Sequence, residues 1–372
     1  MSLKRQYIAD FQSGLSLVEL MVALVVGLIL LAGVITIFVS SRGSYDTNTA
    51  ISQIQENGRF ALNFLRTDVR MAGNMGCTRI TNTDSIINTA NPPPVMFDFT
   101  KPVYGYEANG TGPGSTYTLL PNPVPDTNSG DWTPSLDNSL VGLVMQGSDV
   151  LILHSTLGVP ITVTYINNSA ANFQVATLSG VQTGELGIIT DCVKATAFQV
   201  TNTNVPQSTI VHSQSGAVSP GDSQNTFNET YQAGAQFLQL QTVAFYIGKG
   251  ADNSPALFEA DLEPNGGGNL NNWTIQELVS GVVNMQVLYG VDTTGTQAPS
   301  LYETAAQVDA ANQWNSVVSV QVAVLVRSNP GAITGSSTAQ SFNLLGTTVT
   351  APLDTRLRRV FAATIGLRNF LP

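Results

Sequence analysis

Hydrophobic positions fall in two regimes along this chain. A short mixed leader, residues 1–14, gives way to LSLVELMVALVVGLILLAGVITIFVSS, in which Glu19 is the one charged residue before Arg42. About 20 predominantly apolar residues cover the hydrocarbon core of a bilayer as a helix, so residues 15–41 predict a spanning helix. Gly27 and Gly33 lower its propensity but let neighbouring helices approach closely. Beyond Arg42 the apolar residues thin out to one face. Ile51, Ile54, Gly58, Ala61, Leu62, Leu65 and Val69 recur at steps of three and four, while Arg59, Arg66, Asp68 and Arg70 lie largely off that face. One long helix is expected as far as about Ala72, with residues 42–75 continuing the spine against a head. Ser44, Asp46 and Asn48 are the residues that would permit a bend. The glycines of MAGNMGC supply the backbone freedom for a stop.

After the helix the pattern turns to strands and turns. NPPPV, GTGPGS and LPNPVPDTNSGDW make residues 78–140 dense in turn formers, which predicts long surface loops with only short strands between them. From Asp149 onward DVLILH, ITVTY, FQVAT, GIIT and ATAFQVT are short β-branched runs bounded by Gly, Asn and Pro. A Ser/Thr/Asn/Gly-rich interval follows, and a division of the head (residues 76–372) into two lobes is expected near 201–235. QFLQLQTVAFYIG, ALFEADL, TIQELVSGVVNMQVLYGVD and QWNSVVSVQVAVLVRS complete the strand pattern. The fold class is therefore α+β, a long N-terminal helix on a large antiparallel β-rich head.

Composition narrows what such a molecule does. Only 11% of residues are charged and the formal net charge is -10. The leader is net positive through Lys4 and Arg5, which hold it in the cytoplasm by the positive-inside tendency and place the head in the periplasm. Between Pro102 and Val326 the only Lys or Arg residues are Lys194 and Lys249, so no basic stripe exists there to bind nucleic acid. The cysteines are Cys77 and Cys192. In an oxidising compartment an even count favours one disulfide; the alternative is two buried thiols, since spacing cannot show that the sulfurs meet. A loop on the order of 100 residues closed this way contributes about 4 to 5 kcal/mol in the chain-entropy model.

No catalytic, cofactor or metal site is expected. His154 and His212 are the only histidines, neither at ligand spacing from a second His or a Cys, and His154 reads as a satisfied surface or edge residue. There is no nucleophile elbow and no phosphate-binding glycine loop. Asp292, in YGVDTTGTQAPS, is a lone carboxylate where calcium needs several oxygens. Arg356, Arg358, Arg359 and Arg368 form a basic end that meets an acidic partner or lipid headgroups, or else is a strand with solvated side chains.

Glu19 is the residue with a strong mechanistic argument. A carboxylate at membrane depth costs roughly 2.5 kcal/mol or more and asks for a partner. Cutting after Gly14 would free an α-amine on Leu15, at i,i+4 spacing from Glu19 and on its face. Gly14, lacking Cβ, lets a peptidase approach the backbone. An ordinary secretory signal is cut after its apolar region and lost; here the cut precedes that region, which is retained.

These residues resemble the class III signal of type IV prepilins: a basic leader, a Gly at the cut, a Glu five residues on and an unbroken apolar helix. QENGRFALNFLRTDVRMAGNMGC, the YGVD turn, the Trp before an apolar strand ending in Arg-Ser, and the closing RLRRVFAATIGLRN resemble the PilW family of minor pilins. Two departures are the absence of a proline midway along the apolar helix and the single Asp after Tyr289-Gly290-Val291, where relatives commonly carry acidic residues. The resemblance implies cleavage between Gly14 and Leu15 by prepilin peptidase, N-methylation of Leu15, and an assembly role for Glu19. It further implies an inner-membrane, single-pass protein that joins other minor pilins and the major pilin, primes a type IV pilus, and sits at the extracellular tip with a large adhesin. The same leader and helix fit a minor pseudopilin of a type II secretion system, and a signal-anchored periplasmic binding module is the reading from another class.

Overall fold

A computed structural model describes residues 16–78, 83–90, 92–270, 273–333 and 339–368. Helix α1 spans Leu17–Met71, 55 residues without interruption, so it is about 80 Å long at 1.5 Å per residue. Ser16 caps it through a capping box with Glu19. No proline falls within it, and the backbone leaves the helix at Ala72 before Gly73 turns to positive φ. Its two halves differ in burial. The apolar window near the N-terminus has none of its residues buried in the molecule, whereas Ala50, Ile54, Gly58, Ala61, Leu65 and Val69 are buried against the head. Ile51, placed on the same face by its spacing, is 41% exposed: it lies one residue past Ala50, on the edge of the buried stripe.

Nineteen strands make up the described head. In chain order β1 is Thr83–Ser85, β2 Val103–Ala108, β3 Thr116–Thr118, β4 Trp132–Thr133 and β5 Val150–Ile166. There follow β6 Asn172–Val175, β7 Leu186–Thr190, β8 Ala195–Gln199, β9 Asn202–Asn204, β10 Thr209–Val211 and β11 Gln236–Lys249. Next are β12 Pro255–Leu262, β13 Trp273–Ser280, β14 Val282–Val291 and β15 Leu301–Glu303, then a one-and-a-half-turn helix α2, Ala305–Ala310. The chain closes with β16 Val317–Arg327, β17 Ser341–Leu344, β18 Thr347–Thr350 and β19 Arg358–Gly366.

These strands form a twelve-stranded sheet with the path β1-β8-β7-β11-β5-β6-β10-β9, a four-stranded sheet β15-β14-β16-β19, and a small sheet β17-β18-β3. Pairing is antiparallel except at β1–β8 and β18–β3. Helix α1 packs chiefly on β19 and β16, with further contacts to β13 and β5. The main core lies under it: Ile54, Ala61 and Leu65 meet the inward residues of β2, β5, β11, β14 and β16. A second apolar cluster gathers Phe173, Phe198, Ile210 and Phe237.

The runs DVLILH and ITVTY, which read as two strands, are the single strand β5. Leu157 pairs with Gln239 and Ile161 with Phe237, so Gly158, Val159 and Pro160 bulge opposite the lone Leu238. Gly158 takes φ +76. A bulge of this kind bends a strand without ending it, which is why Gly and Pro mislead there. Because β5 and β11 bend together, each begins or ends in one cluster and finishes in the other: Leu151 and Phe245 are in the main core, Val163 and Phe237 in the second. Residues 201–235 supply Ile210, Phe227, Tyr231 and Ala235 to that second cluster. The turn-rich segment also departs from expectation. Val103, Tyr106, Trp132, Leu136 and Leu140 are buried in the main core, so much of residues 78–140 wraps the head rather than decorating it. Its apolar runs, such as Val95–Phe97 and Val103–Ala108, are short and separated by turn formers, so none is long enough to announce a core element.

Candidate functional site

The chemistry-bearing end of α1 begins at its cap. The Ser16 backbone N–H donates to Glu19 Oε2 at 3.0 Å, and the Glu19 N–H donates to Ser16 Oγ at 3.2 Å. The carboxylate is thereby turned back toward the helix N-terminus, where unpaired N–H groups and the helix dipole favour negative charge. Gly14 and Leu15 lie outside the described residues. Thr36 Oγ1 donates to the Ala32 carbonyl at 2.9 Å, which satisfies that hydroxyl within the apolar segment. No Cβ built on Gly27 or Gly33 would meet any atom, so both glycines open onto surface that a neighbouring helix can use.

Where α1 meets the head, contact is close. A Cβ on Gly58 would fall 2.4 Å from the Phe361 ring of β19, so only glycine lets helix and strand approach this far. Asn57 Nδ2 donates to the Ser280 carbonyl at 3.0 Å and Thr47 Oγ1 to the Ala332 carbonyl at 2.7 Å. Past the helix end, the Gly73 N–H donates to the His154 carbonyl at 2.7 Å. Cys77 and Cys192 are joined by a disulfide with a Cα–Cα distance of 4.8 Å and a sequence separation of 115. The bond ties the exit of α1 to the turn between β7 and β8.

Two of the polar groups singled out from sequence, His154 and Arg358, sit differently from their expected places. His154 is not at a surface or an edge; it is fully buried, its Nδ1 is 2.7 Å from the Lys101 carbonyl, and its ring lies edge-on to Phe99. It ends an apolar run in sequence, yet β5 runs on past it, flanked in the sheet by β2 on one side and β11 on the other. Burial holds it below the ordinary histidine range, partly offset by the Lys101 carbonyl. His212 is buried too and stacks on Phe227 with ring centroids 4.0 Å apart. Arg358 is neither solvated nor free for a partner. Its side chain is 2% exposed and its guanidinium binds Asp354, with Nη1 to Oδ1 at 2.8 Å. Arg356 Nη1 donates to the Ser328 carbonyl at 2.8 Å, and Arg359 lies over the Phe361 ring. Burial, then the charges of Arg356 and Arg358, brings Arg327 down to about 10. Asp292 Oδ1 and Oδ2 accept the backbone N–H groups of Thr294, Gly295 and Gln297, so that carboxylate closes its own turn.

Sequence reading missed a set of buried acids. Asp149 is buried and accepts the Ala108 N–H at 3.0 Å and the Val287 N–H at 2.8 Å, bridging β2 to β14. Glu107 lies one register step beyond the Tyr106–Val150 pair, and its Oε2 is buried without a partner, as is the Tyr289 hydroxyl. Burial pushes Glu107 up to about 7, and burial together with Glu107 raises Asp149. Asp68 of α1, Glu259 and Asp261 form another group, in which burial and mutual repulsion raise Asp68 to about 6 and Glu259 to about 7. A carboxylate next to β-branched runs, as Asp149 is in SDVLIL, was the one signal available. Among the described residues, no three His, Cys, Asp or Glu side chains come together to hold a metal.

Two stretches of the chain, one at its N-terminal end and one covering its C-terminal third, match known families. Residues 11–35 match the model of the prokaryotic N-terminal methylation motif. Residues 244–369, from β11 through β19, match the model described as type IV pilus-assembly protein W. No curated protein and no solved structure matches the chain significantly.

Proposed function

From a PilW-like type IV pilin with a prepilin-type signal, we propose a minor pilin that is cut between Gly14 and Leu15 by prepilin peptidase and N-methylated on Leu15. Residues 15–41 then anchor it in the inner membrane, with residues 42–75 as spine and the head in the periplasm. It associates there with other minor pilins and the major pilin, primes the fibre, and is carried at the tip, where a large adhesin can dock. No catalysis, cofactor or metal enters this role.

The observation that supports this reading most is the placement of Glu19. It is the single charge in an unburied apolar half-helix, and its carboxylate already points at the helix N-terminus. A freed amine on Leu15 supplies the opposite charge in a low-dielectric surround, where an unpaired carboxylate is costly. Moving from lipid into a bundle of neighbouring helices keeps the apolar surface covered, so packing through small residues such as Gly27 and Gly33 rather than loss of water drives assembly.

Intact-mass measurement of the membrane form tests the cut, the methyl group and the disulfide together. The expected mass lacks residues 1–14 and carries one methyl group and no free thiol. Glu19→Ala is expected to be processed normally yet be depleted from sheared pili at least tenfold. A leader retained on the wild-type chain, or Glu19→Ala piliation equal to wild type, refutes the role. Loss of secretion with intact pili on deletion would assign the chain to a type II secretion system instead.

A further inference from the structure

The base of the head reaches down α1 to the level at which the apolar run ends. From Leu20 to Val39 the anchor is uncharged, and at about 1.5 Å per residue this stretch covers roughly 30 Å, the thickness of a hydrocarbon core. The headgroup zone beyond it is roughly 5 to 8 Å deep, so Ser40, Gly43 and Ser44 emerge within that zone. The head is already there. A groove is lined on one side by Ser40, Gly43 and Ser44 of α1 and on the other by Gly331, Ala332 and Ile333, from the turn after β16. Thr47 Oγ1 donates to the Ala332 carbonyl at 2.7 Å, which fixes the turn to the helix. The Gly331 N–H donates to Thr355 Oγ1 at 2.9 Å and the Ile333 N–H to the Thr355 carbonyl at 3.2 Å, which ties the turn to the segment that carries Leu353. Leu353 is 62% exposed, and on the helix itself Tyr45 is 71% exposed. From Ser328 to Leu353 the chain has no Lys, Arg, Asp or Glu.

We propose that this base is a lipid-binding surface: the turn at 330–333 and Leu353 seat the head in the headgroup layer of the leaflet from which α1 emerges. The proposal rests on the membrane placement of residues 15–41 given above and adds a second contact, made by the head. Depth is the first argument. The apolar surface of α1 is exposed as far as Val39 and the helix runs unbroken past the groove, so covering that surface with lipid brings residues 331–333 into the headgroup plane. A Cβ built on Gly43 would meet no atom, which leaves the groove open to a headgroup between helix and turn. Chemistry is the second argument. An uncharged turn gives up no ionic hydration on entering the interface, exposed aliphatic side chains gain apolar surroundings there, and tyrosine is enriched at this level of a membrane. Charge is the third. Arg327, Arg356 and Arg358 are grouped with Asp354 and Asp252 behind the turn, a positive balance on a chain of net charge -10, so this end of the head does not repel anionic headgroups. The seat sets the height and rotation of the head before the helix leaves the membrane.

The test uses the full chain in nanodiscs of phosphatidylethanolamine and phosphatidylglycerol that include a lipid with a nitroxide on its headgroup. A fluorophore is attached through I333C, L353C, S41C or V159C, each alone, with the Cys77–Cys192 bond left oxidised. Val159 is 80% exposed on the β5 bulge, past the strand residue that meets the helix exit, and serves as the aqueous reference. Nitroxide quenching at I333C and at L353C is expected to reach at least half that at S41C and to exceed that at V159C at least threefold. I333D on the L353C chain places a carboxylate in the contact and is expected to lower quenching at L353C at least twofold. One label per chain and near-UV circular dichroism equal to wild type show that the disulfide and the head are intact. Because the quencher is on the lipid, a base that is bare or covered by another protein chain reads no higher than V159C, and that result overturns the proposal, as does an I333D chain quenched like its parent. The S41C label separates the two readings: quenching there without quenching at the turn overturns the seat alone, whereas none at S41C overturns the membrane placement and the seat with it.

Discussion

Glu107 and Asp149 show how single residues set this head's response to pH. Among the described residues neither has a basic partner: Glu107 meets Thr111 and the Ala305 N–H, Asp149 meets two backbone N–H groups, and the buried Tyr289 hydroxyl feels the charge of both. Asp222, buried with one oxygen on the Gln199 N–H at 2.8 Å, is likewise pushed up by burial to about 7. A carboxyl with a higher pKa folded than unfolded holds its proton more tightly in the native state. Stability is therefore greatest below the unfolded value, near 4, and declines as pH rises through about 7. The urea midpoint of the full chain in detergent is expected to be higher at pH 5 than at pH 8. Glu107→Gln keeps the shape without the charge and should shrink that difference; an equal midpoint at both pH values in the wild type would contradict the account. Gly58 is a second residue-scale constraint. Gly58→Leu drives a side chain into the Phe361 ring and is expected to cost about 1 to 3 kcal/mol, the usual range for overpacking. Phe361→Ala in the same chain should recover part of it, as a double-mutant cycle in chemical denaturation will show.

At the scale of elements, the disulfide reinforces a junction at which Met75 already packs with Ile188 and Ala195 and the Thr78 hydroxyl meets that of Thr190. Removing Cys192 leaves α1 held to the head by its apolar stripe and by the hydrogen bonds of Thr47, Asn57 and Gly73, while the turn between β7 and β8 loses its covalent tie to the helix exit. Cys192→Ser is expected to lower stability by about 2 to 5 kcal/mol, the range for a native disulfide, and to increase proteolysis near residues 191–194. Protection unchanged from the oxidised protein would show the bond to be dispensable. β5 and β11 matter in another way. Their shared bend lets one pair of strands serve two apolar clusters, so damage in one cluster should be felt in the other. Phe237→Ala, expected to cost about 3 to 5 kcal/mol, should melt with the main core in a single transition rather than as a separate step.

For the whole molecule, the ordering of charge along the chain fits the orientation that the proposed role requires. Lys4 and Arg5 precede the apolar half-helix, and the acidic excess lies beyond it, as the positive-inside tendency requires for an outward-facing head. Protease added to spheroplasts is expected to digest the head and leave a fragment containing residues 15–41. A head that survives until the membrane is permeabilised would reverse the assigned topology.

Much of this architecture was legible in the residues, because helices and anchors are local matters. The uncharged run from Leu20 to Ser41 and the period of Ile54 to Val69 each act within a few turns, so periodicity and hydropathy suffice to read them. The family motifs at both ends are equally local in kind. What the tertiary structure alone decided are the long-range choices. It buried the Arg358 side chain, set His154 on a strand flanked by two others, drew Val103, Tyr106, Trp132, Leu136 and Leu140 of the turn-rich segment into the core, and set Glu107 beside Asp149. Each depends on which strand lies next to which, and strand order carries no signature in composition or period. Contacts between residues 40 or 200 apart in sequence are fixed by packing and by the satisfaction of buried polar groups, quantities that exist only once the chain has folded.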